Sequence, residues 1–211
     1  MEVIRVDAVP STQDVARQLP VGTVVVAEHQ TAGRGRLGRR WEAPPGSALL
    51  ASWVMPLHEL APLAAGVAAA RACGDAVRLK WPNDLLLDGR KLGGILVERT
   101  GHRCVVGTGI NLHWAPPGAA TLGADRDELV ARMAVEMTEW FAAAPAAILA
   151  TWRERSDTLG RRVRVQLSGE TFEGVAEDIA PDGTLIVGGR AFAAGDVIHL
   201  RPAGGEGGPA G

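Results

Sequence analysis

The stretch Gly33-Arg34-Gly35-Arg36-Leu37-Gly38-Arg39-Arg40 constrains the fold more than any other. Four arginines fall within seven residues, with three glycines threaded among them, in a chain of net charge -2. The glycines let the backbone turn its amide N–H groups toward one concave point. The arginines add planar, permanently charged forks that suit carboxylate and phosphate. Such a loop is built to hold an anion, or two anions that repel each other. The bland alternative is a solvated basic loop that binds nothing. Just before it, Val21–Glu28 is an almost continuous apolar, β-branched run, the pattern of a buried strand. That strand would deliver Gln30 and the arginine loop at its end.

The loop also spells G-x-G-x-x-G, whose dinucleotide-binding form needs a helix straight after it. Trp41-Glu42-Ala43-Pro44-Pro45-Gly46 follows instead, and two prolines and a glycine oppose a helix. Glu59 has the offset of the acid that motif requires, but it stands at the start of a helical pattern after Met55-Pro56. The Rossmann reading is therefore rejected. Basic residues do not recur along a face and no aromatics interleave with them, which argues against a nucleic-acid surface.

Elsewhere the chain reads as an ordinary soluble protein. Its 211 residues can hold one core, or one core plus a small module. The N-terminus lacks a basic segment followed by an apolar one, and no apolar run reaches membrane-spanning length. Cys73 and Cys104 are isolated in apolar contexts and read as buried thiols of a reducing compartment. A cytoplasmic location, with neither DNA nor membrane as partner, is the expectation. Five histidines without ligand spacing make a zinc site improbable.

Glu2–Asp7 alternates as a strand. Pro10–Leu19 reads as a short helix, and Ser11-x-x-Asp14 fits a capping box. Ser47–Met55 reads as a strand, and apolar spacing over His58–Cys73 predicts an amphipathic helix on a sheet. Val77–Lys80 leads into Trp81-Pro82-Asn83-Asp84. Asp88-Gly89 predicts a hairpin between Leu85–Leu87 and Lys91–Glu98. Gly93 and Gly94 lie inside that second strand, and Gly107 and Gly109 inside the next, Cys104–Leu112. Strand glycines weaken a strand unless something must approach its backbone. Helices are expected over Asp125–Phe141 and Pro145–Arg155. After Leu159-Gly160 come four or five short strands with tight turns, the pattern of a small β-barrel. The units are 1–157, a small barrel over 158–202, and a flexible tail over 203–211.

Four blocks, in this order, resemble the biotin–protein ligases: Ser11-Thr12-Gln13; Gly33-Arg34-Gly35-Arg36-x-Gly38-Arg39-x-Trp41; Lys80-Trp81-Pro82-Asn83-Asp84 with Arg90-Lys91-x-Gly93-Gly94-Ile95-Leu96; and Gly107-Thr108-Gly109-Ile110-Asn111. The resemblance covers Ser11 to Asn111 and, by pattern alone, the C-terminal barrel. It implies an α+β fold: a mixed sheet with packed helices, similar to class II aminoacyl-tRNA synthetases and biotin ligases, plus an SH3-like β-barrel. It also implies ATP-dependent formation of biotinyl-5'-AMP and transfer of biotin to a lysine of a biotin carboxyl carrier protein domain. ATP and Mg²⁺ are the implied cofactors, with biotin as substrate.

By this resemblance Arg34, Arg36 and Lys91 hold the carboxylate and phosphate, and the loop closes over the adenylate. Ser11, Thr12 and Gln30 serve the ureido ring. Gly33 and Gly35 belong to the biotin loop. Gly93, Gly94 and Gly107 allow close approach of the ring and chain, and Trp81 is a wall. Trp41 stacks on adenine, while Arg39, Lys80, Asn83, Asp84 and Asn111 meet the nucleotide, with Asp84 on the Mg²⁺. The chain begins at the catalytic strand, without the helix-turn-helix of many bacterial relatives, so a mono-functional ligase without repressor activity is expected. Gly93 stands where many relatives have Ala, which suggests a more flexible strand. A homodimer through sheet edges is open. The competing readings are a lipoate or octanoate ligase of the same fold, and a non-catalytic binding protein or biotin-responsive regulator.

Overall fold

The computed structural model describes residues 1–167 and 169–200. Ser168 and the tail expected over 203–211 lie outside the described residues, as do 201 and 202.

The first unit runs β1 (Glu2–Val9), α1 (Thr12–Ala16), β2 (Thr23–Gln30), β3 (Ala48–Pro56), α2 (Ala61–Cys73), β4 (Arg78–Lys80), β5 (Asp84–Leu87), β6 (Arg90–Thr100) and β7 (Arg103–Asn111), then α3 (Arg126–Ala142) and α4 (Pro145–Glu154). Its seven strands form one sheet in the order β1-β2-β3-β7-β6-β5-β4. β1 lies parallel to β2 and the other neighbours are antiparallel, so the sheet is mixed.

Alternation along the strands splits the side chains between two faces. Val24, Val26, Leu49, Trp53 and Met55 join the core beneath α2, α3 and α4. Val25, Val54 and Val105 face α1 on the other side. The hairpin expected at Asp88-Gly89 is present, with φ of +51° and +70° at the two residues, the left-handed pair of a type I′ turn. α3 is capped by Asp125, whose carboxylate accepts from the N–H groups of Asp127 and Glu128.

Two helices depart from their expected form. α2 is buried nearly all round rather than on one stripe, because the sheet lies on one side of it and α3 and α4 on the others. It also starts at Ala61, since His58 Nδ1 accepts the Leu60 N–H at 3.0 Å and holds a turn there. α1 stops near Arg17, short of Leu19. Its capping box is half formed: Ser11 Oγ accepts from Gln13 N at 3.3 Å, whereas the Asp14 carboxylate is engaged elsewhere.

The second unit comprises β8 (Arg162–Leu167), β9 (Glu170–Ile179), β10 (Leu185–Val187), β11 (Arg190–Phe192) and β12 (Asp196–His199). The five strands are antiparallel in the order β11-β10-β9-β8-β12, and the domain fits an SH3-like fold. One apolar cluster runs through both units, from Trp53, Leu129 and Trp152 to Val163, Val165 and Leu185. The connecting segment pairs with the sheet edge: Leu79 N donates to Arg155 O, and Asp157 N donates to Leu79 O, each at 2.8 Å. Both cysteines are free, and burial pushes the Cys73 thiol up to about 12 and that of Cys104 to about 11. No helix among the described residues is long and apolar enough to cross a membrane.

Candidate active site

On the α1 face, missing side chains make a floor. Gly94 of β6 stands opposite Gly109 of β7, and Gly107 lies two residues along the same face. The Trp41 indole rests on this floor: a Cβ at Gly109 would lie 2.5 Å from Trp41 Cε2. A Cβ at Gly107 would meet Gln13 Cδ at 3.1 Å. The Trp41 indole N–H is buried with no hydrogen-bond partner among the described residues.

α1 and the end of β2 build one wall. The Thr12 N–H and hydroxyl both donate to Gln30 Oε1, at 2.7 and 3.0 Å, and the hydroxyl also meets Ser52 Oγ at 2.7 Å. Ser11, Thr12 and Gln13 are buried. Gln13 Nε2 donates to Leu96 O and Glu98 Oε2, while its Oε1 is a buried acceptor without a partner among the described residues. A buried polar atom of this kind is costly unless a ligand completes it.

The arginine loop is a small closed hairpin. Gly35 N donates to Arg39 O at 2.8 Å, and Trp41 N to Gly33 O at 3.0 Å. Its tip is a single 3-10 turn, Arg36–Gly38, in which Leu37 takes φ +56° and is 71% exposed. Each arginine has its own neighbour. Arg34 forms a bidentate pair with Asp14, Arg36 Nη1 donates to Asn83 Oδ1 at 3.2 Å, and Arg39 pairs with Asp196 of β12. Across from the loop, Lys91 Nζ donates to Asp84 Oδ1 at 2.6 Å. Burial holds the Arg36 guanidinium below its ordinary value. Burial also lowers Lys80, and its cationic neighbours Lys91 and Arg39 add to that effect. An incoming anion would relieve this crowding of positive charge.

These groups surround one cavity of about 310 Å³. Of the residues singled out from sequence, it brings together Ser11, Thr12 and Gln30; Arg34, Gly35, Arg36, Arg39 and Trp41; Lys80, Trp81, Asn83 and Asp84; and Lys91, Gly94 and Gly107. Three are not in the lining. Gly33 sits behind the loop, where a Cβ would lie 2.4 Å from Trp41 O. Gly93 faces away, with its Cβ position 2.6 Å from Gly109 O, so an added Cβ there would crowd the neighbouring strand. Asn111 is buried and donates through Nδ2 to Ala120 O at 3.0 Å, bracing a loop. Trp81 lines the cavity but is only 2% exposed, and its indole N–H donates to Gly183 O of the second unit.

Residues 4–113 match the biotin/lipoate A/B protein ligase family, and residues 158–200 match the biotin protein ligase C-terminal domain. The chain belongs to the biotin protein ligase family. The biotin–[acetyl-CoA-carboxylase] ligase of Mycobacterium tuberculosis is 38% identical over 213 aligned positions, covering 85% of this chain and 80% of that one. The bifunctional ligase/repressor BirA of Escherichia coli is 34% identical over 203, covering 81% of this chain and 63% of that protein. A structure of the Aquifex aeolicus biotin protein ligase in complex with biotin and ATP superposes with a TM-score of 0.82 at 25% identity, over 95% of this chain and 99% of that one.

The ligase's cavity includes residues that sequence reasoning passed over. Gln13 stood within a recognised block, but its amide is uninformative without the Gly107 contact. Gly109 stood in a strand and in a recognised block, but its sequence position gave it no role of its own beneath Trp41. Gln166, Asp196, Val197 and Ile198 come from the second unit and carry no local signal. Among the described residues no cluster of three or more His, Cys, Asp or Glu could hold a metal ion. Asp84 is a single carboxylate beside Lys91. That donor set fits magnesium only in the form that takes one or two carboxylates and leaves the remaining positions to phosphate oxygens and water.

Proposed function

We propose that the ligase joins biotin to ATP in this cavity, forming biotinyl-5'-AMP and pyrophosphate, and then passes the biotinyl group to a lysine of a biotin carboxyl carrier domain. The observation that carries this reading is the gathering of six cations, Arg34, Arg36, Arg39, Arg40, Lys80 and Lys91, around a glycine floor. Beside it, Gln13 Oε1 and Trp41 Nε1 are left without partners among the described residues. The biotin carboxylate must attack the α-phosphate, and two anions approach each other only where fixed positive charge offsets their repulsion.

Arg36 and Lys91 fit the carboxylate and α-phosphate, and Arg34 and Arg39 brace the loop beside them. Ser11, Thr12, Gln13 and Gln30 offer the donors and acceptors a ureido ring needs. Gly94 and Gly107 admit the ring and chain, and Gly35 lets the loop backbone approach. Trp41 fits an adenine-stacking role, and Lys80, Asn83 and Asp84 fit the nucleotide. Magnesium arriving with ATP would be held by Asp84 and would neutralise phosphate charge. No nucleophilic side chain is needed, because the biotin carboxylate and then the acceptor amine are the nucleophiles. In the second step the lysine nitrogen bonds the acyl carbon, the acyl–phosphate bond breaks, and AMP leaves.

The acceptor assignment draws on the M. tuberculosis relative, a biotin–[acetyl-CoA-carboxylase] ligase. The exposed face of α3 mixes Asp127, Glu128 and Glu139 with Arg132 and carries no basic stripe, which supports a ligase without operator binding as a further part of the proposal. β1 is an outer strand of the sheet, which suits pairing of two copies through that edge; sedimentation as a monomer at assay concentration would remove this part. The test of function is mass spectrometry of a carrier domain after incubation with the ligase, Mg²⁺ and ATP beside biotin, lipoate or octanoate. A biotin-sized increment on one lysine is expected. An increment with lipoate or octanoate alone would contradict the reading.

A further inference from the structure

Asp14 is absent from the cavity lining, yet it holds the first arginine of the loop that lines it. It stands at the third position of α1, where a full capping box would send its carboxylate back to the Ser11 N–H. The carboxylate instead accepts from Arg34 Nη1 at 2.9 Å and Nη2 at 2.7 Å. Its Oδ1 also accepts from Arg17 Nη1 at 3.0 Å. Arg17 Nη2 in turn donates to Glu98 Oε2 at 2.7 Å, the oxygen that receives Gln13 Nε2 at 3.2 Å. A continuous polar chain therefore links the loop, α1 and β6 around the end of the cavity where Ser11, Thr12 and Gln13 lie.

Among the described residues, three side-chain ties hold the loop between residues 34 and 39 to the rest of the fold: Arg34 to Asp14, Arg36 to Asn83, and Arg39 to Asp196. The middle tie is made by an arginine that must face the reacting anions. The outer two are ion pairs, and only the Asp14 pair is bidentate. A guanidinium has five N–H donors in a rigid fork. Two serve Asp14, so the rest of Arg34 stays available on the cavity side.

We propose that Asp14 is a positioning residue that pins the near side of the arginine loop to α1, so that the loop closes over the acyl-adenylate from the helix that faces the acyl end. This rests on the ligase reading for the identity of the ligand, not for the pinning itself. Asp14 touches no substrate. Its loss therefore loosens the loop, raising the biotin KM and shortening the lifetime of bound adenylate, while kcat for adenylation at saturating biotin holds. A merely structural role in α1 would lower the melting temperature without this split.

The experiment compares the full chain with Asp14→Ala and Asp14→Glu, with melting curves as the folding control and Asp14→Asn replacing the alanine variant should that one not fold. Limited trypsin cleavage after Arg36 and Arg39 is read first, on ligand-free protein, followed by biotin KM and kcat in pyrophosphate exchange. Asp14→Ala is expected to raise the cleavage rate and the KM by about fivefold, the scale of one partly exposed bidentate pair. Asp14→Glu is expected to restore both. Salt should raise the wild-type cleavage rate more than that of Asp14→Ala, in which the Arg39–Asp196 pair is the loop ion pair left to screen. Wild-type cleavage rates in Asp14→Ala, a fall in kcat without a change in KM, or no recovery in Asp14→Glu would each overturn the proposal. If the wild-type protein shows no biotin-dependent exchange, the ligase reading fails instead, and the cleavage rates still decide whether Asp14 pins the loop.

Discussion

Lys91 is the cation whose loss should be felt most sharply. It approaches the cavity from β6 and donates to Asp84, and on the proposed reading it would support charge that develops when carboxylate and phosphate meet. Truncation to Ala should lower biotin-dependent adenylation by about 10²–10³-fold, the scale of removing one preorganised donor, while the melting temperature stays near wild type. Steady-state exchange kinetics and a melting curve check both halves. Gly109 offers a steric counterpart. Its added Cβ would lie within 2.5–2.9 Å of three Trp41 ring atoms, so Gly109→Ala must lift the indole from the floor. A cost of about 1–3 kcal/mol is expected for such overpacking, read as weaker nucleotide binding by calorimetry. At this scale the charged residues were legible, because four arginines among glycines have few other uses. Their partners were not. Asp14 lies twenty residues before Arg34 and reads as a helix cap. Asn111 read as a polar interruption aimed at a ligand, yet its amide satisfies the Ala120 carbonyl.

The strands and helices were readable where the pattern was unambiguous: the β-branched run of β2, the Asp-Gly turn before β6, the Pro start of α4. α2 was misjudged as amphipathic because its alanines are compatible with either a stripe or full burial, and only the neighbouring helices decide. Pairing was not legible either. Nothing local tells β1 to lie parallel to β2, or the segment after α4 to run along β4. Ties between elements show best in acid. Asp178 of β9 is held below its ordinary value of 3.8 by the hydrogen bond from Arg153 of α4. Asp14 and Glu28 are likewise held down by Arg34 and Arg126. A carboxylate with a depressed folded value contributes stability that is present above its unfolded value and lost as pH falls through the folded one. Stability should thus decline below about pH 4. Asp178→Asn should flatten part of that decline, as measured by denaturant midpoints across pH. An unchanged acid slope in the variant would remove this tie from the account.

Across the whole molecule, a single apolar cluster spans both units, and Trp81, Arg153 and Arg39 tie the second to the first. The ligase should unfold in one calorimetric transition, because the main apolar cluster is shared between the two units. Two separated transitions would contradict this. The change of pattern after Leu159-Gly160 announced a second unit. That its β12 reaches the cavity with Asp196, Val197 and Ile198 could not be read from it, since short alternating strands carry no record of what they face.

One cavity of the ligase is proposed to bind two anions and join them. Biotin-dependent exchange of labelled pyrophosphate into ATP, with Mg²⁺ and purified protein, tests it most directly. Exchange is expected with biotin, and none when biotin or the metal is withheld. Failure to exchange with biotin, while the folded protein binds ATP, would contradict it.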